Sequence, residues 1–308
     1  MAPAGEKRID LHVHTTASDG TLTPSEVVAR ARRLGLDAIA VTDHDTVGGV
    51  AEALAAGKGV GLEVVPGVEI GIAHEPERGL VEVDILGYFV DPADAALVNA
   101  LEGLQRAKNE KLARQVAVLA ANGYPIDAAE VEREAAGDTV RRPHIWRVLH
   151  RHHPNLDAQE FFDRTSFGGA WHVGKTISVR LEECVELIVG AGGVPVMAHP
   201  GCYSTAFAKT GALVDPAVDA AVDVCARAGV RGLEVFYPYD RSRPYSDGTP
   251  PVGGDGLSVM IEHYASLAAQ YGLLMTGGTD FHGTNKPEIE IGDVDVPYGL
   301  LQGLRESR

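Results

Sequence analysis

Histidines and carboxylates recur in this chain where short apolar runs end, and both residue types bind divalent cations. His12 and His14 alternate; Asp43-His44 follows, then Glu69, His199, and Asp280 with His282. Side chains two apart on a strand share a face, so each alternating pair can address one point. Imidazole nitrogen and carboxylate oxygen suit zinc, manganese or iron, and a central carboxylate such as Glu69 can bridge two ions. Each group alone has a plain structural explanation. His-x-His can be a polar strand end, Asp43-His44 a turn, Glu69 a buried ion-pair partner. His199-Pro200 can be a structural loop, and Asp280-Phe281-His282-Gly283 a cap. Five such coincidences at five strand ends point instead to one multinuclear metal site.

The elements that must position these residues alternate. A strand over Arg8–Val13 precedes Thr23-Pro24-Ser25-Glu26, a helix start with a capping box and proline in the first turn. The run Leu36–Val41 reads as a buried strand delivering Thr42-Asp43-His44-Asp45. A small-residue helix over Val47–Ala56 leads to the strand Val64–Ile70, and Val81–Phe89 is a further strand carrying Asp84. After a helical middle the alternation resumes, with helices over Val179–Val189, Ala217–Ala228 and Leu257–Tyr271. Strands over Val194–Ala198, Gly232–Phe236 and Leu273–Thr276 alternate with them. Such alternation implies a mainly parallel sheet or barrel, whose strand ends converge on one active face. Between about 100 and 170 no strand signal is convincing. The stripe Leu101, Leu104, Leu112, Val116 and Leu119, broken only by Lys108, marks a helical insertion.

With 308 residues and 45% hydrophobic content the chain can bury a large core. Acidic residues outnumber basic ones by 43 to 27, a formal charge of −16. That argues against an extended basic surface for duplex DNA, though not against a local phosphate site. Cys184, Cys202 and Cys225 form no zinc ribbon and no disulfide framework, which fits a reducing compartment. No signal core and no membrane-length apolar run is present, so no membrane partner is expected and the expected location is cytoplasmic.

In order along the chain, Asp10-Leu11-His12-Val13-His14-Thr15-Thr16-Ala17-Ser18-Asp19-Gly20 and Thr42-Asp43-His44-Asp45-Thr46 resemble the PHP (polymerase and histidinol phosphatase) family. Pro66-Gly67-Val68-Glu69-Ile70, Ala198-His199-Pro200-Gly201 and Thr279-Asp280-Phe281-His282 extend the resemblance over nearly the whole chain. The most similar subgroup removes the 3′-phosphate of nucleoside 3′,5′-bisphosphates and in some members degrades short RNA from its 5′ end. The resemblance implies an α/β fold, a distorted seven-stranded (β/α)7 barrel over 8–99 and 171–308, with the helical insertion at 100–170 forming part of the substrate pocket. It implies two or three divalent ions, manganese foremost, with iron or zinc as alternatives. One ion would take His12, His14, Glu69 and Asp280; a second Asp19, His44 and His282; a third Glu69, His199 and His144. The implied partner is a small phosphorylated substrate.

Inside the insertion, Arg142-Pro143-His144 fits a subgroup motif. Arg142 is suited to bidentate phosphate binding, with His144 reaching a metal or phosphate oxygen. A solvated basic turn is the alternative. Lys175 and His172 are further candidates for substrate phosphate. The expected mechanism is direct hydrolysis, with Asp19, His44, His199 and Arg142 as the catalytic set and His199 either a ligand or the acid for the leaving oxygen. Alternatives are a phosphodiesterase or 5′-3′ exonuclease, a histidinol-phosphate-type phosphatase, and a metal-stabilised binding module. Asp84 stands where many relatives place His, Cys202 where relatives carry Arg, and His172 where Tyr is usual. These departures and the long Gly/Pro loop Arg241–Gly256 bear on the substrate rather than on the metal core.

Overall fold

The computed structural model describes residues 7–135, 140, 142–174, 177–203, 212–241 and 255–308. Strand β1 (Arg8–Val13) leads through helix α1 (Pro24–Arg33) to β2 (Ala38–Val41), and α2 (Val50–Val60) connects to β3 (Glu63–Gly71). The α1 start is the expected capping box: Thr23 accepts from the Glu26 amide and Glu26 accepts from the Thr23 amide. Strand β4 (Asp84–Tyr88) follows, then four helices: α3 (Ala95–Ala121), α4 (Ala128–Ala135), α5 (Arg142–His152) and α6 (Ala158–Thr165). Helix α7 (Leu181–Gly190), β5 (Val194–Met197), α8 (Pro216–Arg227), β6 (Gly232–Phe236), α9 (Gly256–Tyr271) and β7 (Leu274–Gly277) resume the alternation. A two-residue β8 (Val296–Pro297) and α10 (Tyr298–Glu306) end it.

The sheet order is β7-β6-β5-β4-β3-β2-β1-β8. Beyond β7 the chain also reaches β1: Val13 bridges Phe281, and the His14 amide donates to Phe281 at 3.0 Å. The sheet therefore nearly closes into the expected barrel. Gly278 lies at this seam, where an added Cβ would stand 2.4 Å from the His12 backbone nitrogen. Closure there requires glycine.

Two features refine the expected topology. An eighth, antiparallel strand flanks β1, and β4 runs antiparallel to both β3 and β5. A parallel return needs a long crossover, usually a helix. The β3–β4 link holds only a short 3-10 turn (Pro76–Arg78), so the chain doubles back. Asp84 thereby pairs with Gly71, beside the end of β3.

Apolar packing divides the molecule. Val27, Val28 and Ala31 of α1 pack with Ile39, Val41 and Val64 of the sheet. Leu97, Leu101 and Leu104 of α3 belong to the large barrel cluster, but Leu112 and Leu119 of the same helix join Val131, Val148, Leu149, Phe161 and Trp171 in a separate one. The division thus falls within α3 rather than at its start. Among the described residues, no helix is long and apolar enough to cross a membrane.

Candidate metal centre

Strand alternation and barrel closure bring the acidic and imidazole side chains of five segments to one mouth. His12, His14, Glu69, His199 and Asp280 are all at most 2% exposed, and Asp19, His44 and His282 at most 6%. Around one point lie His12 Nε2, His14 Nε2 and Asp280 Oδ1, with Glu69 Oε2 beside the two imidazoles. The two histidine nitrogens are 3.0 Å apart, each is 3.2–3.4 Å from Asp280 Oδ1, and each is 3.3–3.5 Å from Glu69 Oε2. Four tetrahedral donors at about 2.0–2.1 Å from one ion stand roughly 3.3 Å from each other. The spacings among His12 Nε2, His14 Nε2 and Asp280 Oδ1, 3.0–3.4 Å, match that figure for three donors of such a set.

Hydrogen bonding does not explain this convergence. Glu69 Oε2, His14 Nδ1 and His199 Nδ1 are buried without a hydrogen-bond partner among the described residues. Such atoms are costly to bury unless something else meets their lone pairs. A divalent ion fits. Three groups have ligating atoms mutually within 4.8 Å: His12, His14 and Asp280; His14, Asp19, His44 and His282; and His12, Glu69 and His199. The Glu69 oxygens divide between them, Oε1 lying 3.0 Å from His199 Nε2 and Oε2 2.8 Å from His44 Nδ1.

Electrostatics follow from burying opposite charges together. Burial alone would lower the His12 imidazole, but Glu234, Asp280 and Glu69 outweigh it and hold it well above its ordinary value. For His14, Asp280 and Glu69 overcome the same penalty and push it up to about 9. Burial opposes ionisation of Glu69 and Asp280 too. His44 and His12 nevertheless hold Glu69 well below the usual carboxylate range, as Lys286 and His12 do Asp280.

A cage of hydrogen bonds fixes the donors. Glu234 of β6 faces His12 Nδ1 at 3.0 Å and accepts from the His199 amide at 2.8 Å. The Tyr237 hydroxyl donates to Asp280 Oδ2 at 2.8 Å. Asp10 accepts from the amides of His12, Thr279 and Gly292, and Asp43 from Thr15 and Ser18. Among the described residues, three of the five non-glycine residues at positive φ, Asp45, His199 and Asp280, stand here. Strained backbone of this kind gathers at functional sites.

The comparisons with known proteins decide the family. The PHP domain matches residues 10–159. Over 304 residues the chain is 32% identical to a 3′,5′-nucleoside bisphosphate phosphatase of Chromobacterium violaceum, covering 94% of this chain and 92% of that protein. The chain belongs to the PHP family. It is also 35% identical over 199 residues to a 5′-3′ exoribonuclease of Haemophilus influenzae, covering 64% of this chain and 70% of the relative. A solved Chromobacterium violaceum structure, described as an amidohydrolase with bound sulfate and no metal, superposes with TM-score 0.78 at 28% identity. The match covers 97% of this chain and 96% of that one.

At the PHP mouth a cavity of about 240 Å³ separates the donors from the helical segment. Asp19, His44, His199, Asp280 and His282 line one side, and Leu112, Gln115, Ile145 and Phe162 the other. Arg142 lines it as well, its Nη1 donating to Ser166 Oγ at 2.7 Å. His144 is buried in α5 and belongs to none of the three donor groups, while its neighbours Arg142, Pro143 and Ile145 line this cavity. His172 lines a neighbouring cavity beside Glu82 and Asp84, and Asp84 joins no donor group. Burial pushes the Cys202 thiol up to about 12, which keeps it neutral. Lys175 and most of the Gly/Pro loop lie outside the described residues.

Sequence reading gave no role to Glu234, Tyr237, Lys111 or Lys286. Lys286 pairs with Asp280 and, with Lys108 and Lys111, lines the cavity. One of these left a signal, Glu234, which interrupts an apolar strand. Lys108, the break in the apolar stripe of α3, forms a buried ion pair with Asp45.

Proposed function

We propose that this chain is a metal-dependent phosphomonoesterase that removes the 3′-phosphate of nucleoside 3′,5′-bisphosphates. One observation carries the reading: three donor groups, linked in series through His14 and His12, open onto a cavity whose wall also bears Lys108, Lys111, Arg142 and Lys286. Acidic donors gather cations, and cations beside them gather phosphate. The Chromobacterium phosphatase, similar over nearly the full length of both chains, supports the bisphosphate as substrate.

His12, His14, Glu69 and Asp280 would hold one ion; Asp19, His44 and His282 a second, with His14 adjoining; His199 with Glu69 a third, with His12 adjoining. Manganese is the proposed ion. Bound ions supply Lewis acidity at the phosphoryl oxygens and lower the pKa of attacking water. The protein supplies position. Glu234 orients His12 through Nδ1 and pins the His199 backbone, and Tyr237 orients Asp280. His199 Nε2 faces Glu69, which supports a ligand role rather than that of the leaving-group acid. Arg142 offers its planar fork to a phosphate, and Lys286 can move from Asp280 to substrate once Asp280 engages an ion. Val140, Ile145 and Phe162 leave the opposite wall largely apolar and help exclude water.

The test is phosphate release from adenosine 3′,5′-bisphosphate by the manganese-loaded protein. AMP, histidinol phosphate and a 5′-phosphorylated RNA trinucleotide run in parallel. Rapid release from the bisphosphate, with weak action on the others, is expected. Faster breakdown of the trinucleotide would move the assignment to the exonuclease reading, and retention of every ligand intact would leave a binding module.

A further inference from the structure

A second cavity, of about 140 Å³, adjoins the first. His74, Glu82, Asp84 and His172 help line it, and Lys111 and Arg142 line both cavities. Its chemistry differs from that of the metal mouth. The His74 ring lies 4.5 Å from Phe167 and 6.3 Å from His172 between centroids, and Phe167 meets His172 edge-on at 5.4 Å. Three rings therefore cluster within stacking range of one another, and Phe167 is 42% exposed.

Glu82 and Asp84 offset the cations Lys111 and Arg142 in this cavity and supply carboxylate acceptors. They favour a flat group with N–H donors. Glu82 has φ +56°, so the strained backbone seen at the metal mouth recurs here. A second metal centre is not the explanation: all three donor groups among the described residues lie at the barrel mouth. Arg142 stands at the junction, bonded to Ser166 and with Nη2 3.8 Å from Glu82.

We propose that the second cavity is a nucleobase subsite, an inference that rests on the bisphosphate reading above. The base enters among His74, Phe167 and His172, and its exocyclic amine meets Glu82 or Asp84. The sugar spans the junction, where Lys111 and Arg142 meet the phosphate that remains on the product. Adenine, cytosine and guanine nucleotides are then preferred over uracil nucleotides, which lack the amine.

The experiment is titration calorimetry of the manganese-loaded protein with AMP and with ribose 5-phosphate. Phosphate release from adenosine 3′,5′-bisphosphate and from its abasic counterpart is measured alongside. AMP should bind at least about tenfold tighter than ribose 5-phosphate, the scale of one base stacked on an aromatic side chain. His74→Ala and His172→Ala should each bring that ratio towards one, and His172→Phe should restore it. Equal binding of the two ligands by the unaltered protein would overturn the subsite. So would equal losses for both ligands in the alanine variants. Base-dependent binding without phosphate release keeps the subsite and sinks the phosphatase reading; release without base dependence does the reverse.

Discussion

The barrel mouth and the helical segment facing it are built on opposite principles. At the mouth, Glu69, Asp280, Asp19, His12, His14, His44, His199 and His282 are buried together, with donor atoms within 4.8 Å of one another in each group and several lacking hydrogen bonds among the described residues. Helices α4 to α6 enclose an apolar cluster around Leu149 and Phe161, and keep their charges near the surface in pairs such as Arg147–Glu134 and Arg151–Glu130. The first arrangement stores charge that an ion must balance. The second is self-sufficient. Among the described residues, Lys108 of α3 crosses between them as a buried ion pair with Asp45 beside His44, while Arg142 and Arg147 of α5 reach Glu82 and Asn285 nearer the surface, so the cavity depends on this buried charged tie as well as on packing.

Ion dependence is where this contrast should show most. Asp280→Asn should lose bound manganese and phosphate release together, down to the assay floor, as read by elemental analysis and kinetics. Retention of both would remove Asp280 from the centre. Chelation should likewise lower melting stability, by about 2.7 kcal/mol relative to protein held at a free ion concentration one hundred times Kd. Hydrogen exchange should place the added mobility in β1, the β2 end and the β7 end, leaving α4 to α6 protected. Equal loosening of both regions would erase the distinction.

The tie comes next. Lys108→Met removes the cation that faces the fully buried Asp45 carboxylate and should cost about 3–5 kcal/mol in urea unfolding. Adding Asp45→Asn should recover much of the loss, since no uncompensated charge remains. Smaller still, Glu234→Gln keeps shape but weakens the hold on His12 Nδ1. A loss of roughly 10–100-fold in metal affinity is expected for such an outer partner, with little change in melting of the chelated protein.

The smallest effect lies away from both regions. Burial would raise the Glu75 carboxyl, but Arg180 and Arg78 outweigh it and hold it below its ordinary 4.5. A depressed carboxylate stabilises the fold above its unfolded pKa, and that contribution fades as pH falls through the folded one. Glu75→Gln should therefore melt lower than the unaltered protein at neutral pH, and the gap should close as the pH drops well below 4.5. A gap independent of pH would assign the effect to packing.

Much of the centre was legible because its signals are local. His12-x-His14 and Asp280-x-His282 need only strand periodicity to aim both side chains one way. Thr23 and Glu26 declare the α1 start within four residues. Apolar spacing likewise marked the helices of the middle segment, though not the point within α3 where the barrel cluster gives way to the separate one.

Other features depend on pairings between residues far apart, which no local pattern encodes. The direction of β4 follows from a link too short in helix to cross the sheet, and that direction sets Asp84 beside Gly71. Glu234 meets His12 across 222 positions only because the barrel closes, and Lys286 reaches Asp280 only in the folded turn. The rotation of α5, which no local pattern fixes, sets Arg142, Pro143 and Ile145 along the cavity. Sequence alone determined which residues could bind an ion and on which strand ends they sit, because periodicity and turn chemistry act over a few residues. Tertiary structure alone decided how those donors are shared, oriented and faced by cations, because closure and helix rotation are set by packing across the whole chain.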